Sequence, residues 1–366
     1  MSRPAVARIN LDALRHNLRT LARRAGPARL MAVVKANAYG HGLDIVAPAL
    51  MEAGCQVFAV TDAAEGAALR RILGREADIV ALSGVFDAED ARWCAEARIT
   101  PTLTETRQVA MLSAAGFRGE VWLKVDTGMR RLGSPDAAAL LNACRKTGLG
   151  IAGLMSHLAC ADAPDHPLNQ AQLEAFRAQL DALPERAPGS LLNSAGLASM
   201  PEAAMDVVRP GIALYGVEPV SERPLGLQPV MQLTSRIMQV RRIQRGESVS
   251  YGATFTARRN MRIAVVALGY ADGLPRLLSN RGAAVRLAAP ESRLPIVGRV
   301  CMDYCLLDVT EADVSAGDEV EFWGPNLPAA SVAAQARTIA YELFTGVSAR
   351  VKRETHEAPP RERGAP

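Results

Sequence analysis

The sequence predicts an α/β protein: an N-terminal (β/α)8 barrel of the TIM type over residues 1–226, followed by a mostly β domain over residues 227–366. Three observations predict it. Short β-rich runs alternate with amphipathic helical patterns through the first two-thirds of the chain. Those runs number eight, the strand count of such a barrel. Beyond Leu227–Gln228–Pro229 the helical periodicity stops, and alternating or β-branched runs punctuated by Gly and Pro replace it.

The eight barrel strands are expected at Leu30–Val34, Gln56–Val60, Asp78–Leu82, Ile99–Leu103, Glu120–Val125, Ile151–Ser156, Ser190–Asn193 and Met205–Val208. Helices are expected at Leu43–Ala53, Asp62–Leu73, Glu105–Ala115, Asp136–Lys146 and Asn169–Leu180, each with apolar residues at i, i+3, i+4 spacing. A doubly wound sheet is the rival class. It would carry a glycine fingerprint after the first strand, where this chain has KANAYGHG instead. A strand at about residues 5–10 is available to join the β domain. The β domain itself is expected to use Leu233–Val240, Arg262–Leu268, Ala284–Leu287, Leu294–Val300, Cys305–Val309 and Glu319–Trp323.

Composition narrows the function classes. The chain has 366 residues, 49% apolar and 22% charged, with a net charge of +4, which argues against disorder, collagen or a polybasic nucleic-acid tail. Six cysteines and five histidines form no CxxC, HExxH or His-x-His pattern, so no metal site is expected. Cys301 and Cys305 read as core. The N-terminus lacks the apolar run of a signal peptide, and no stretch approaches the roughly 18 apolar residues of a membrane span. A soluble, reduced, cytoplasmic protein with no nucleic-acid or membrane partner is the expectation.

Function in such a barrel sits at the C-terminal ends of the strands. Lys35 and Tyr39 follow the first strand; Lys124, Asp126 and Arg131 lie on and after the fifth; His157 follows the sixth. Asn193–Ser194 follow the seventh strand and Arg209–Pro210–Gly211–Ile212 the eighth. Lys35 ends the buried run MAVVK, where a charge is costly to desolvate. It reads either as a lysine snorkelling to the rim or as a Schiff-base lysine. Ser194 and Gly211 read as a plain N-cap and a tight turn, or together as phosphate donors at the place where barrels bind phosphate. An amine at strand one with phosphate donors at strands seven and eight describes a pyridoxal phosphate site.

The block VVKANAYGHG resembles the cofactor-lysine signature of the alanine racemases. LKVDTGMRRLG, MSHLACAD, LNSAG, VRPGIALYG, VSYGATF, LGYADG, VGRVCMD and AYE follow in the family's order from Arg8 to Arg353. The resemblance implies an isomerase interconverting L- and D-alanine by two-base proton transfer on pyridoxal 5'-phosphate, in a homodimer with shared sites. It implies that Lys35 carries the cofactor; that Tyr39, Ser194, Gly211, Ile212 and Tyr341 hold the phosphate, near Asn193; and that Arg209, bonded to His157, meets the ring nitrogen. Arg131 and the Met302 amide would take the substrate carboxylate. Lys35 and the other subunit's Tyr251 would be the two bases. Lys124 matches a lysine often carbamylated in this family, and Asp162, Tyr270, Arg276, Arg299 and Tyr341 match its entry corridor. On the residues alone, Tyr251 also reads as a sheet-edge tyrosine and Met302 as a core methionine. Two other readings of the scaffold stand beside the first. A broader-specificity racemase would need a wider pocket near Tyr270 and Tyr341. A non-catalytic cofactor-binding protein would be a bare barrel, without the domain carrying Tyr251.

Overall fold

The computed structural model describes residues 3–356. In chain order, the first part runs β1 (Val6–Asn10), α1 (Leu11–Ala25), β2 (Arg29–Val33), α2 (Lys35–Tyr39), α3 (Leu43–Glu52), β3 (Val57–Val60), α4 (Ala63–Leu73), β4 (Asp78–Ala81), α5 (Ala88–Glu96), β5 (Ile99–Leu103), α6 (Thr106–Ala114), β6 (Glu120–Lys124), α7 (Ala137–Thr147), β7 (Gly150–Met155), α8 (Pro167–Asp181), β8 (Gly189–Ser190), α9 (Ser194–Ser199) and β9 (Val207–Val208). The second part runs β10 (Met231–Ile243), β11 (Ser248–Val249), β12 (Phe255–Thr256), β13 (Met261–Val266), β14 (Ala283–Arg286), β15 (Ala289–Pro295), β16 (Cys305–Asp308), β17 (Glu319–Trp323), α10 (Ala329–Gln335), α11 (Ala340–Gly346) and β18 (Lys352–His356). Two compact units result. One comprises Arg15–Ala38 and Leu43–Leu227; the other holds Tyr39–Gly42, the described residues before Arg15 and those from Gln228 onward.

The first unit is the barrel. Its strands run in the order β8-β7-β6-β5-β4-β3-β2-β9 with parallel pairing throughout. A parallel bridge between Asn193 and Arg209 joins the segments that follow β8 and β9 and brings the sheet close to closure. Parallel strands covered on both faces must be apolar on both faces, and all four residues of β3 are buried. The helices are capped where the chain supplies an acceptor. Asp62, Asp87 and Asp136 accept backbone N–H groups at the starts of α4, α5 and α7, each worth about 1 kcal/mol.

In the second unit β15-β14-β17-β10-β1-β18 form one path, with β13 pairing β10 and β16. The strand read at about residues 5–10 is β1, antiparallel to β10 and parallel to β18. Two loops of this unit approach closely. A Cβ on Gly269 would lie 2.2 Å from the Met302 carbonyl oxygen, so only glycine fits there. That approach lets the Tyr270 and Ala271 amides donate to the Cys301 and Met302 carbonyls, both at 3.0 Å.

Several elements depart from the expectation. The strand expected at Ser190–Asn193 ends at Ser190, because Asn193 turns to cap α9 with its side chain. The strand expected at Leu294–Val300 lies at Ala289–Pro295. Helix α5 was not expected: its sequence AEDARWCAE buries only Ala91 and Cys94, too few for a periodic signal. Helices α10 and α11, seven residues each, are also too short to register as a period.

Candidate active site

The barrel's first turn is built in an unusual conformation. Ala36, Asn37, Ala38 and Tyr39 all have φ between 51° and 55°, a left-handed turn with no glycine in it. For ordinary residues this costs roughly 1–2 kcal/mol each, so the turn persists only because its surroundings fix it. The Ala36 amide donates to Glu65 Oε1 at 2.7 Å, Asn37 Oδ1 accepts the Leu43 amide at 2.7 Å, and the Ala38 amide donates to the Val34 carbonyl at 2.9 Å. The fully buried Tyr215 hydroxyl donates to the Val33 carbonyl at the end of β2. Lys35 stands between these restraints.

Around Lys35 the barrel gathers cations. Burial, then Arg131, lowers the Lys35 pKa, while Glu65 raises it. Lys124, buried at the end of β6, is lowered to about 8 by burial and by the charges of Arg209, Arg131 and Lys35. Among the described residues its Nζ donates to the Leu82 carbonyl alone, at 3.4 Å. Arg209 is 5% exposed and is bonded to neutral acceptors: the Ser190 carbonyl at 2.7 Å, Ser190 Oγ at 2.6 Å, the Leu191 carbonyl at 3.2 Å and the Ser156 carbonyl. Burial brings its pKa down to about 10.

His157 stands between donors. Arg209 reaches its Nδ1 at 3.3 Å, and Asn193 Nδ2 lies 3.4 Å from its Nε2. Arginine can only donate, so His157 Nδ1 accepts the Arg209 proton and the ring proton of the neutral form sits on Nε2, where Asn193 Nδ2, itself a donor, is a close neighbour and not a hydrogen-bond partner; the assignment is made from the bonding pattern. Burial, then Arg209, Arg131, Lys124 and Lys35, holds the His157 pKa well below 6.5.

Beside this cluster, Ser194 Oγ accepts the Gly211 amide at 2.9 Å and the Ala213 amide at 3.3 Å. Asn193 Oδ1 accepts the Gly196 amide at 2.8 Å. Gly211 opens a 3-10 turn over Ile212–Tyr215, and Ile212 is buried. The structure thus brings together Lys35, Lys124, Arg131, His157, Asn193, Ser194, Arg209 and Gly211, from five different strand ends. Asp162 lies exposed in the segment before α8, with no ion pair to another described residue.

The other unit carries the remaining candidates. Tyr39 and Tyr341 pair with ring centroids 5.9 Å apart, and burial, then Tyr341, raises the Tyr39 pKa so that the phenol stays protonated. Tyr251, in a turn over Tyr251–Ala253, is 71% exposed, and Met302 is 53% exposed, which overturns the sheet-edge and core readings of these two residues. Tyr270 is exposed too, on the loop docked against Cys301 and Met302. The Arg299 guanidinium lies over Gly252, where a Cβ would meet it at 2.9 Å; Arg276 opens an exposed turn. Cys305 is core, but Cys301 is half-buried, with Sγ 3.4 Å from Ser250 Oγ, so its core reading is corrected. Among the described residues no cluster could hold a metal ion, and no helix is long and apolar enough to cross a membrane.

Sequence reasoning passed over Glu65 and Tyr215, and also one signal that separates the two readings of Lys35. The chain has four lysines (Lys35, Lys124, Lys146 and Lys352) against 38 arginines. A chain that supplies its cations mostly as arginine places half its lysines, Lys35 and Lys124, at one barrel mouth, and a lysine offers an amine that an arginine does not.

The comparisons with known proteins agree with this geometry. The alanine racemase N-terminal domain family matches residues 9–219 and the alanine racemase C-terminal domain family matches residues 230–355. A catabolic alanine racemase of Agrobacterium fabrum is 43% identical, covering 94% of this chain and 90% of its own. The crystal structure of biosynthetic alanine racemase from Pseudomonas aeruginosa has a TM-score of 0.89 and 39% identity, covering 97% of this chain and 99% of its own. The alanine racemase of Bartonella henselae, solved with covalently bound pyridoxal phosphate, has a TM-score of 0.89 and 36% identity over 96% of this chain and 99% of its own. The chain therefore belongs to the alanine racemase family.

Proposed function

We propose that this protein is a pyridoxal 5'-phosphate-dependent alanine racemase, interconverting L- and D-alanine and so supplying D-alanine for peptidoglycan or passing it to alanine catabolism. The observation that carries the reading is the donor set of the barrel mouth. Lys35, Lys124, Arg131 and Arg209 crowd together there, and Arg209 is buried on neutral acceptors. Such a cluster fits an anionic ligand, which would relieve the repulsion that adds to burial in lowering Lys35, Lys124 and His157. The Ser194 hydroxyl, which accepts the Gly211 amide, follows the last strands of the barrel, and its place there supports a role for both groups toward phosphate.

Bound through the Lys35 amine, the cofactor would withdraw electrons from the amino acid's α-carbon and so acidify its proton. The chain's own residues would do the rest. Ser194, Gly211, Ile212, Tyr39 and Tyr341 hold the phosphate, and Asn193 fixes the start of α9. Arg209 meets the ring nitrogen with a group that holds its own proton, which keeps that nitrogen neutral. Arg131 and the Met302 amide take the substrate carboxylate. Once freed by substrate, the lowered Lys35 amine serves as base on the D-alanine face.

On the opposite face Tyr251 of a second copy serves as base. A phenol of ordinary pKa about 10 needs a donor to support its anion, and the His157 Nε2 proton, fixed by Arg209 at Nδ1, is that donor. Exposure of Tyr251, Met302 and Tyr270 on one unit supports a homodimer that covers them. Lys124 would accept carbon dioxide as a carbamate, an anion that orients Arg131. Asp162, Tyr270, Arg276 and Arg299 would line the entry. Six free cysteines support a reduced, cytoplasmic setting.

Incubating the cofactor-loaded protein with L-alanine in D2O tests the reading. D-Alanine carrying deuterium at Cα is expected; L-alanine returned unexchanged would overturn it. Serine run in parallel separates a broad racemase from a narrow one.

A further inference from the structure

We propose that Glu65 is a positioning residue for Lys35: its carboxylate takes the Ala36 and Thr61 amides together and so fixes the left-handed turn that aims the lysine amine. The inference rests on the reading of Lys35 as the cofactor-bearing residue.

The geometry starts from a helix cap put to a second use. Asp62 caps α4 and accepts the Glu65 amide at 2.9 Å. An acid at this third position ordinarily turns back to the cap residue's own amide. Here Glu65 reaches elsewhere: Oε2 takes the Thr61 amide at 2.8 Å and Oε1 the Ala36 amide at 2.7 Å. One carboxylate thus joins the chain after β3 to the chain after β2, one residue beyond Lys35.

The clamp falls where the backbone most needs one. Ala36 is the first of the four left-handed residues, and an alanine has no side chain with which to stabilise that conformation. A carboxylate accepting two amides makes stronger bonds than a neutral acceptor would. Glu65 also brings a negative charge to an amine otherwise faced by the Arg131 guanidinium from the loop after β6 and by Lys124 at the end of β6, with the neutral His157 after β7 beside them and Arg209 after β9 next to Lys124 and His157. Removing that charge makes Lys35 a weaker base, so more of it is free amine at neutral pH.

The test uses Glu65→Gln, Glu65→Ala and the double variant Glu65→Ala/Ala36→Gly. Cofactor is removed with hydroxylamine, Lys35 is labelled with trinitrobenzenesulfonate across a pH series, and the four lysine-containing peptides are quantified by mass. In both single variants the Lys35 labelling midpoint should move to lower pH, with labelling at pH 7 about threefold faster. Binding of pyridoxal 5'-phosphate should weaken about tenfold in Glu65→Ala, and Ala36→Gly should restore much of it without restoring the midpoint. A role confined to stability would lower the melting temperature and leave the labelling midpoint unchanged in both folded single variants; that result overturns the proposal. Should Glu65→Ala not fold, Glu65→Gln alone decides, because its carbonyl can keep the Ala36 bond while its charge is gone. Borohydride trapping on the unaltered protein tests the Lys35 reading independently of any Glu65 variant.

Discussion

Asn37→Val should destabilise the protein by about 2–3 kcal/mol, while Asn37→Gly should change its stability by less than about 1 kcal/mol. Asn37 sits at φ 55°, ψ 48°, and its Oδ1 accepts the Leu43 amide at the start of α3. Asparagine tolerates this conformation; a β-branched residue does not, at a cost of roughly 1–2 kcal/mol, to which the lost side-chain bond adds about 1 kcal/mol. Glycine loses the same bond but removes the conformational cost, so the two terms nearly cancel. The bond is solvent-exposed, and water can take the place of the lost oxygen. Urea unfolding followed by far-UV circular dichroism at matched slope measures the difference. Equal losses for valine and glycine would show that only the side-chain bond matters and would refute the left-handed reasoning. A valine variant as stable as the parent would refute the turn itself.

The remaining predictions concern the barrel mouth and the assembly. His157 is held below its ordinary pKa of about 6.5, so the unfolded chain takes up its proton first. Its contribution to stability should be full above pH 6.5 and fall as the pH drops below that, a trend that His157→Gln removes; nitrogen NMR should find the neutral ring protonated at Nε2. Lys124, lowered to about 8, presents increasing free amine as pH rises toward 8, and only the free amine takes up carbon dioxide. A carbamate carbon signal from labelled bicarbonate should therefore grow with pH and vanish in Lys124→Arg. Mixing inactive Lys35→Ala and Tyr251→Phe subunits should restore activity in hybrid dimers; no restoration, with subunit exchange demonstrated, would sink the shared site.

Legibility differed between the fold and the site for physical reasons. The barrel strands were readable because parallel strands buried on both faces must be continuous apolar runs, and MAVVK or QVFAV admits little else. Lys35 was readable because a charge closing such a run is costly. The left-handed turn was not, because its sequence, KANAY, contains no glycine to announce positive φ. The conformation is imposed from outside, by Glu65 in a helix nearly thirty residues later. Glu65 itself looked like an ordinary helix-start acid. Tyr215 gave no signal because its hydroxyl meets a backbone carbonyl, a contact that only the closed barrel creates. The exposure of Tyr251 and Met302 was equally hidden, since VSYGATF and VCMD read as strand or core until the loops carrying them were placed.

Borohydride reduction of the pyridoxal 5'-phosphate-loaded protein, followed by peptide mapping, tests the central claim most directly. With four lysines in the chain the assignment is unambiguous. The account predicts that the reduced cofactor is found on Lys35, and that Lys35→Arg keeps the local positive charge but carries no label and racemises no alanine. Label on Lys124, or racemisation persisting in Lys35→Arg, would contradict it.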